Sequence, residues 1–198
     1  KVISMRISAQ KADEFSKHPP ADFRVVIVYG RDAGLIHERV ENLLLSVVAD
    51  LNNPFQISEI SGSNIKNDPA RLADEARTQS LTGERRVLVV NLGNEDISAS
   101  LREVLSLDSI DSFIIVKAGD LGAGSPVRKL LEKSNKAATL ACYEDGGSSI
   151  AGIITDMGRD AGIVFSRNAI DYLIANLGSD RLVSRRAIEK LLLYAGEK

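Results

Sequence analysis

The chain has 198 residues, enough for one large domain or for a medium domain and a small one. Its 25 lysine and arginine residues nearly balance 27 aspartate and glutamate residues, which argues against autonomous nucleic-acid binding, since such domains are usually basic. The single cysteine, Cys142, excludes an internal disulfide framework, and with only two histidines the composition also argues against a His/Cys zinc site. The sequence contains no apolar run long enough to span a bilayer and no secretory signal, so we expect a cytoplasmic protein with no membrane partner.

Strand-like and helix-like segments alternate from Arg24 to Tyr143. The β-branched run from Arg24 to Tyr29 predicts a strand that ends at Gly30, and Asp32 is placed to cap the amphipathic helix that follows. Further strands are predicted at residues 55–60, 86–90, 113–116 and 138–143. Helices are predicted between them, from Asp68-Pro69 to about Gln79, around Ile97 to Leu105, and from Ser125-Pro126 onward. Five strands alternating with helices predict a parallel, doubly wound α/β sheet.

The pattern changes at Glu144-Asp-Gly-Gly147, after which every segment is typical of a helix. Caps are predicted for three amphipathic helices at Ser149, Ser166 and Asp180. We therefore expect an α/β domain over residues 1–146 and a small three-helix domain over residues 147–198. An α/β domain followed by a helical lid is the layout of the AAA+ ATPases, although layout alone is only an analogy.

That analogy can be tested on the residues a nucleotide site needs. A P-loop uses glycines for close backbone approach, a lysine for the β and γ phosphates, and a serine or threonine for magnesium. Tyr29 to Ile36 keeps two glycines but has no lysine, serine or threonine, and Asp32 places a negative charge where a phosphate would lie. The later strand ends in Asn91-Leu-Gly93 without the carboxylate that would hold magnesium and orient water. The sequence therefore predicts an ATPase-like fold with no nucleotide cofactor and no catalysis.

The segment from Thr78 to Val90 is the most informative for function. A helix ends there, Ser80, Leu81 and Thr82 occupy a short turn, and Arg85 and Arg86 precede a continuous apolar strand. Leu81 is thus expected at the rim of a parallel sheet, where loops commonly bind partners. The alternative is that Leu81 packs locally beneath the turn, as most leucines are buried.

Four segments of the chain resemble the delta subunit family of bacterial DNA polymerase III. They are Val28 to Ile36, Thr78 to Val90, Asp111 to Lys117 with the helix Ser125 to Leu131, and Gly162 to Gly196. Within the last, Ala187 to Tyr194 resembles the Glu-Leu-Glu-Lys-Leu-x-Leu-Tyr ending of the family's second domain. The family also lacks a working P-loop.

The resemblance implies a non-catalytic clamp-loader subunit that binds the ring-shaped sliding clamp, the beta subunit, and favours ring opening for loading onto primed DNA during replication. In the family, the residues that match Ser80, Leu81 and Thr82 project a hydrophobic pair into a pocket on the clamp. Leu81 matches the family's leucine, whereas Thr82 stands where an aromatic residue is common. The resemblance also implies a third, helical domain, expected beyond Lys198, that assembles the other clamp-loader subunits into a ring of five.

Two clusters of arginine residues have alternative interpretations. Arg85 and Arg86 are candidates for contacts with an acidic clamp rim, or they pair with Glu84 and nearby acids. Arg181 and Arg185 on the last helix are candidates for contacts with DNA or a neighbouring subunit, or they form a solvated surface.

The sequence is also compatible with two other functions. One is an atypical P-loop-like nucleotide-binding enzyme whose site is not recognisable from sequence. The other is a stand-alone α/β interaction domain that uses the same sheet rim for a different partner.

Overall fold

The computed structural model describes residues 6–79, 83–143, 150–177 and 181–196. The chain divides into two compact units, residues 1–145 and 146–198. Their assignment as an AAA+-like domain and a lid domain stays a prediction. The predicted cap residues Ser149 and Asp180 lie outside the described residues.

The first unit alternates strands and helices along the chain. Its strands are β1 (Arg6–Ile7), β2 (Val25–Gly30), β3 (Ile57–Ser61), β4 (Arg86–Leu92), β5 (Ser112–Ala118) and β6 (Ala137–Cys142). Its helices are α1 (Ala9–Lys17), α2 (Ala33–Leu45), α3 (Gly62–Asn67), α4 (Arg71–Arg77), α5 (Ser98–Ser106) and α6 (Pro126–Lys133).

All strand pairs are parallel, in the order β1-β6-β2-β5-β4-β3. Because successive side chains of a strand point to opposite faces, β2 contributes Val25, Ile27 and Tyr29 to one core and Val26 and Val28 to the other. Helices α3 to α6 cover the first face, and α1 and α2 cover the second. The predicted fold class, a parallel α/β sheet with helices on both faces, is confirmed.

Some element boundaries differ from the sequence-based expectations. The sheet has a sixth strand, β1, whose two residues are too few to show a period of two. The helix expected from Asp68-Pro69 begins only at Arg71, with Ala70 as its N-cap and no side-chain cap, and the separate helix α3 precedes it. Phe55, expected as the first residue of a strand, lies in a turn before β3.

Local capping signals were the most accurate guide to helix starts. The Asp32 carboxylate accepts a hydrogen bond from the Leu35 amide at 2.9 Å, and the Ser166 hydroxyl accepts one from the Ala169 amide at 3.3 Å. The Ser125 hydroxyl likewise caps α6, directly before a proline at its first position. The predicted caps at Asp32 and Ser166 and the predicted helix start at Ser125-Pro126 are confirmed.

The second unit is helical in its described parts. Its helices are α7 (Ile150–Asp160), α8 (Arg167–Leu177) and α9 (Arg181–Gly196). Ile153, Ile154 and Ile188 form its buried centre. Within the described residues, no helix of either unit is both long enough and apolar enough to cross a membrane.

Candidate functional site

The parallel sheet has two functionally distinct edges, one with the amino ends of the strands and one with their carboxyl ends. The described ends of the segment between α4 and β4, at Thr78 and Arg86, lie at the amino edge. The loop after β2 lies at the carboxyl edge. A parallel strand rises about 3.3 Å per residue, so the seven residues of β4 separate the two edges by roughly 20 Å.

Ser80, Leu81 and Thr82 lie outside the described residues, but the residues on both sides are described. Helix α4 ends at Arg77, and the hydroxyl of its C-cap, Thr78, donates a hydrogen bond to the Asp74 carbonyl at 2.9 Å. The Arg86 guanidinium donates to the Thr78 carbonyl at 3.3 Å and to the Ser58 hydroxyl at 3.3 Å. It also lies 4.0 Å from the Glu75 carboxylate. Arg86 therefore joins the start of β4 to the end of α4 and fixes the two ends of the turn.

The residues that follow Thr82 are hydrogen-bonded to the segment that precedes β3. Gly83 has a φ of 75°, a conformation that a residue with a side chain adopts only with strain. The next residue, Glu84, accepts a hydrogen bond from the Gln56 side-chain amide at 2.6 Å. The Val87 amide donates to the Gln56 carbonyl at 2.8 Å. Gln56 thus connects the segment before β3 to the residue that follows the turn.

Arg85 points to the opposite face of the sheet from Arg86. Its guanidinium carbon lies 5.2 Å from the centre of the Phe113 ring, a favourable cation–π geometry. Burial of the guanidinium lowers the pKa of Arg85 from its ordinary value. Arg86 is occupied by internal partners, whereas Arg85 is the more exposed of the two. A direct role in partner contact stays a prediction for both.

The other two candidate arginines belong to the helical unit. Arg181 begins α9, and its side chain is not among those described. Arg185 lies one helical turn later and is half-buried, while the adjacent Arg186 and the later Lys190 are exposed. The proposed contacts of Arg181 and Arg185 with DNA or a neighbouring subunit stay predictions.

At the carboxyl edge, three of the backbone donors that follow β2, the amides of Arg31, Asp32 and Leu35, are bonded within the protein. The Arg31 and Asp32 amides both donate to the Cys142 carbonyl, at 3.0 Å and 3.2 Å. The Leu35 amide donates to the Asp32 carboxylate. In a phosphate-binding loop such amides face the ligand. Here the Arg31 and Asp32 amides hold the end of β2 against β6, and the Asp32 carboxylate caps α2 with a negative charge.

A second intramolecular contact lies at the carboxyl edge. The Arg31 side chain pairs with the Asp120 carboxylate at 2.6 Å, and the Tyr143 hydroxyl donates to the other Asp120 oxygen at 3.1 Å. The Arg31 hydrogen bond is the main reason that the pKa of Asp120 is lowered. Burial raises the pKa of Tyr143, with a further contribution from the hydrogen bond to Asp120. At neutral pH Asp120 is therefore ionised and Tyr143 is neutral, as the ion pair with Arg31 and the hydrogen bond between Tyr143 and Asp120 require.

Two cavities open at the carboxyl ends of β4 and β5. One, of about 430 Å³, is lined by residues that include Ala33, Asn91 and Lys117, and the other, of about 360 Å³, includes Glu95 and Asp120. The Asn91 side-chain amide donates a hydrogen bond to the Glu59 carboxylate at 2.9 Å. The Glu95 carboxylate accepts from the Gly93 amide at 2.9 Å.

Within the part of the chain that the structure describes, no three His, Cys, Asp or Glu side chains are grouped so that they could hold a metal ion.

Cys142 is a free cysteine at the end of β6. It is fully buried. Burial raises the pKa of its thiol to about 11. The thiol is therefore protonated at neutral pH and is a poor nucleophile.

Sequence reasoning missed two residues that shape these edges. Arg39, in the middle of α2, has a side chain that is only 1% exposed and pairs with Asp13 of α1 at 2.9 Å. It also donates to the Ala141 carbonyl at 2.8 Å. Gln56 carries no sequence signal for its bond to Glu84, because the two residues are 28 positions apart. The position of Arg39 on the apolar side of α2, next to Ile36 and Val40, was the one available clue.

Comparisons with known proteins give a consistent result. The family model described as "DNA polymerase III, delta subunit" matches residues 27–142. A probable DNA polymerase III subunit delta from Rickettsia prowazekii is 26% identical over 172 residues, covering 87% of this chain and 51% of that protein. The solved structure of the Bacillus subtilis DNA clamp loader delta protein superposes with a TM-score of 0.67 at 15% identity, covering 96% of this chain and 58% of that one. The chain thus spans about half the length of the curated relative it matches.

Proposed function

Because the chain belongs to the DNA polymerase III delta-subunit family, we propose that it binds the sliding clamp through the turn between α4 and β4. The observation that carries the proposal is that the family match, residues 27–142, runs through this turn. The fixing of both ends of the turn by Arg86 and Gln56 supports it, since a binding loop gains from being held on a rigid scaffold. Ser80, Leu81 and Thr82 form the proposed contact, with Leu81 as its main apolar anchor.

Ring opening follows from this contact if the turn binds the opened clamp interface more tightly than the closed one. A ligand shifts a conformational equilibrium only by its difference in affinity for the two states. In the same proposal, the protein acts without catalysis of its own. Its further partners are the other clamp-loader subunits and, within the complete loader, primed DNA.

The contribution of Leu81 is the first test. We expect Leu81→Ala to weaken binding to the sliding clamp of the same organism at least tenfold, about 1.4 kcal/mol, because a few apolar anchors carry most of the energy of such interfaces. Isothermal titration calorimetry of the clamp with wild type and variant measures this change.

The matched control is Leu193→Ala, which truncates a leucine that is 72% exposed on the helical unit. It should leave the affinity within twofold of wild type. Equal affinities of wild type and Leu81→Ala would move the contact away from Leu81. Absence of any wild-type binding would refute the proposed function.

The contacts at the carboxyl edge support the proposal that the protein does not bind a nucleotide. The amides of Arg31 and Asp32 are bonded to Cys142, and the Asp32 carboxylate would repel a phosphate. We expect millimolar Mg-ATP to leave the melting temperature within about 1 °C of the nucleotide-free value. A ligand at one hundred times its Kd would add about 2.7 kcal/mol of stability, which a thermal-shift assay detects readily. A saturable rise of several degrees would favour the nucleotide-enzyme alternative.

A further inference from the structure

The first strand and the first helix of the α/β unit are attached to the rest of the sheet by a small set of contacts. β1 pairs with β6 over two residues, whereas β6 pairs with β2 over six. Helix α1 packs on β1, β6 and α2. Among its described side chains, Ala12, Phe15 and Ser16 are the buried ones. The Asn42 side-chain amide of α2 donates to the Ser16 hydroxyl at 3.4 Å, a long hydrogen bond.

The ion pair between Asp13 and Arg39 is the strongest polar contact between α1 and the rest of the unit. Its nitrogen and oxygen lie 2.9 Å apart, and the Arg39 side chain is only 1% exposed. Another nitrogen of the same guanidinium donates to the Ala141 carbonyl at 2.8 Å and lies 3.4 Å from the Cys142 sulfur. The guanidinium is thus enclosed between α1 and the end of β6. Because the Asp13 side chain is 41% exposed, displacement of α1 would open the guanidinium to water.

We propose that residues 6–17 form a strap that opens from β6 as one unit while the other five strands stay paired, and that the Asp13–Arg39 ion pair is its latch. Regions with few buried apolar contacts open at a lower free energy than the core of the same protein. An unpaired guanidinium in the interior is costly, so Arg39 is either paired beneath α1 or hydrated with α1 displaced. The closed strap covers the outer edge of β6 and so protects it from pairing with a foreign strand. The inference does not depend on the proposed function.

Cys142 reports the open state of the strap. It is the only cysteine of the chain, it is fully buried, and its sulfur lies beside the latch guanidinium. Burial raises the pKa of its thiol to about 11, so the closed state reacts slowly with disulfide reagents. Opening makes the sulfur accessible and returns its pKa toward the ordinary value. The rate of modification by excess DTNB, followed by the absorbance of the released thionitrobenzoate, therefore measures how often the strap opens.

The first test compares the modification rates of wild type and Asp13→Ala. We expect Asp13→Ala to react about 100-fold faster, because its closed state keeps a guanidinium without a counter-charge in the interior. Glu132→Ala is the matched control, since it removes a carboxylate that pairs with Arg128 at 2.8 Å on the other face of the sheet. Its rate should stay within about threefold of wild type. An unchanged rate in Asp13→Ala, or an equal acceleration in Glu132→Ala, would overturn the assignment of the latch.

Leu101→Ala separates opening of the strap from unfolding of the whole unit. Leu101 is fully buried in the core on the face opposite α1, so its truncation weakens the sheet without touching the strap. If Cys142 reacts through the strap, the rate in Leu101→Ala stays within about threefold of wild type. An acceleration as large as that of Asp13→Ala would show that Cys142 reacts through global unfolding, and the proposed strap would then be wrong.

Hydrogen exchange followed by mass spectrometry tests the strap without a substitution. We expect the amides of α1 to exchange at least about 100-fold faster than those of α2, the longer helix that packs on the same face. Exchange in α1 should also be insensitive to low concentrations of urea, because a local opening exposes little surface. Equal rates in α1 and α2 would mean that the two helices open together, which contradicts a strap that opens alone.

Discussion

Gly30→Ala is expected to lower the melting temperature of the α/β unit by about 10 °C. Gly30 ends β2 with a φ of 154°, and a Cβ atom built there would lie 1.8 Å from the Cys142 carbonyl oxygen. Strain from an unfavourable φ costs roughly 1–3 kcal/mol, and overpacking costs about as much again. A total of about 4 kcal/mol corresponds to roughly 10 °C for a domain of this size.

The control for this substitution is Gly122→Ala, because a Cβ at Gly122 meets no atom within 4 Å. Its melting temperature should stay within about 2 °C of wild type, by circular dichroism under the same conditions. A small effect of Gly30→Ala would mean that β2 and β6 can separate at this end. The interpretation of the carboxyl edge as closed against phosphate would then fail as well.

Asp13→Ala is expected to destabilise the protein by about 3 kcal/mol, an effect out of proportion to a half-exposed carboxylate. The side chain of its partner Arg39 is only 1% exposed, so removing Asp13 leaves a guanidinium without a counter-charge in the interior. Breaking a buried ion pair from one side costs about 3–5 kcal/mol, and the lower value applies because the Asp13 side chain is 41% exposed. Urea denaturation gives the free energy of unfolding directly.

The double variant Asp13→Ala with Arg39→Met separates the buried charge from the lost contact. Methionine is apolar and fills much of the space of the arginine stem, so no charge remains buried. We expect the double variant to regain most of the stability lost in Asp13→Ala. A double variant less stable than Asp13→Ala would show that the Arg39 hydrogen bond to Ala141, and not the unpaired charge, dominates.

Sequence patterns predicted those features whose causes are local. The caps at Asp32 and Ser125 depend on a side chain and an amide three residues apart, and the Asp32 cap and the helix start at Ser125-Pro126 were predicted correctly. The buried strand that begins at Arg86 was predicted because its apolar run is continuous. The sheet class followed from the alternation of such segments.

Features that depend on distant residues were not predicted. Phe55 has the β propensity of a strand residue, but it lies in a turn that is held both by a local bond from its amide to Asn53 and by the distant bond from Gln56 to Glu84. Arg39 has the charged side chain that is typical of a helix surface. Only the packing of α1 and β6 around it buries that side chain. At the candidate site, the sequence singled out Arg85 and Arg86 but gave no sign that Arg86 bonds to the Thr78 carbonyl at the end of α4.

The hydrogen bond from Arg86 to the Thr78 carbonyl closes the intervening chain into a short ring. Closing a loop costs chain entropy that grows with the logarithm of its length, and here that cost falls in folding instead of in association. A partner that docks on residues 80–82 therefore meets a segment whose two ends do not have to be brought together. Such preorganisation favours fast association, because slow association is typical of complexes that must first rearrange a loop.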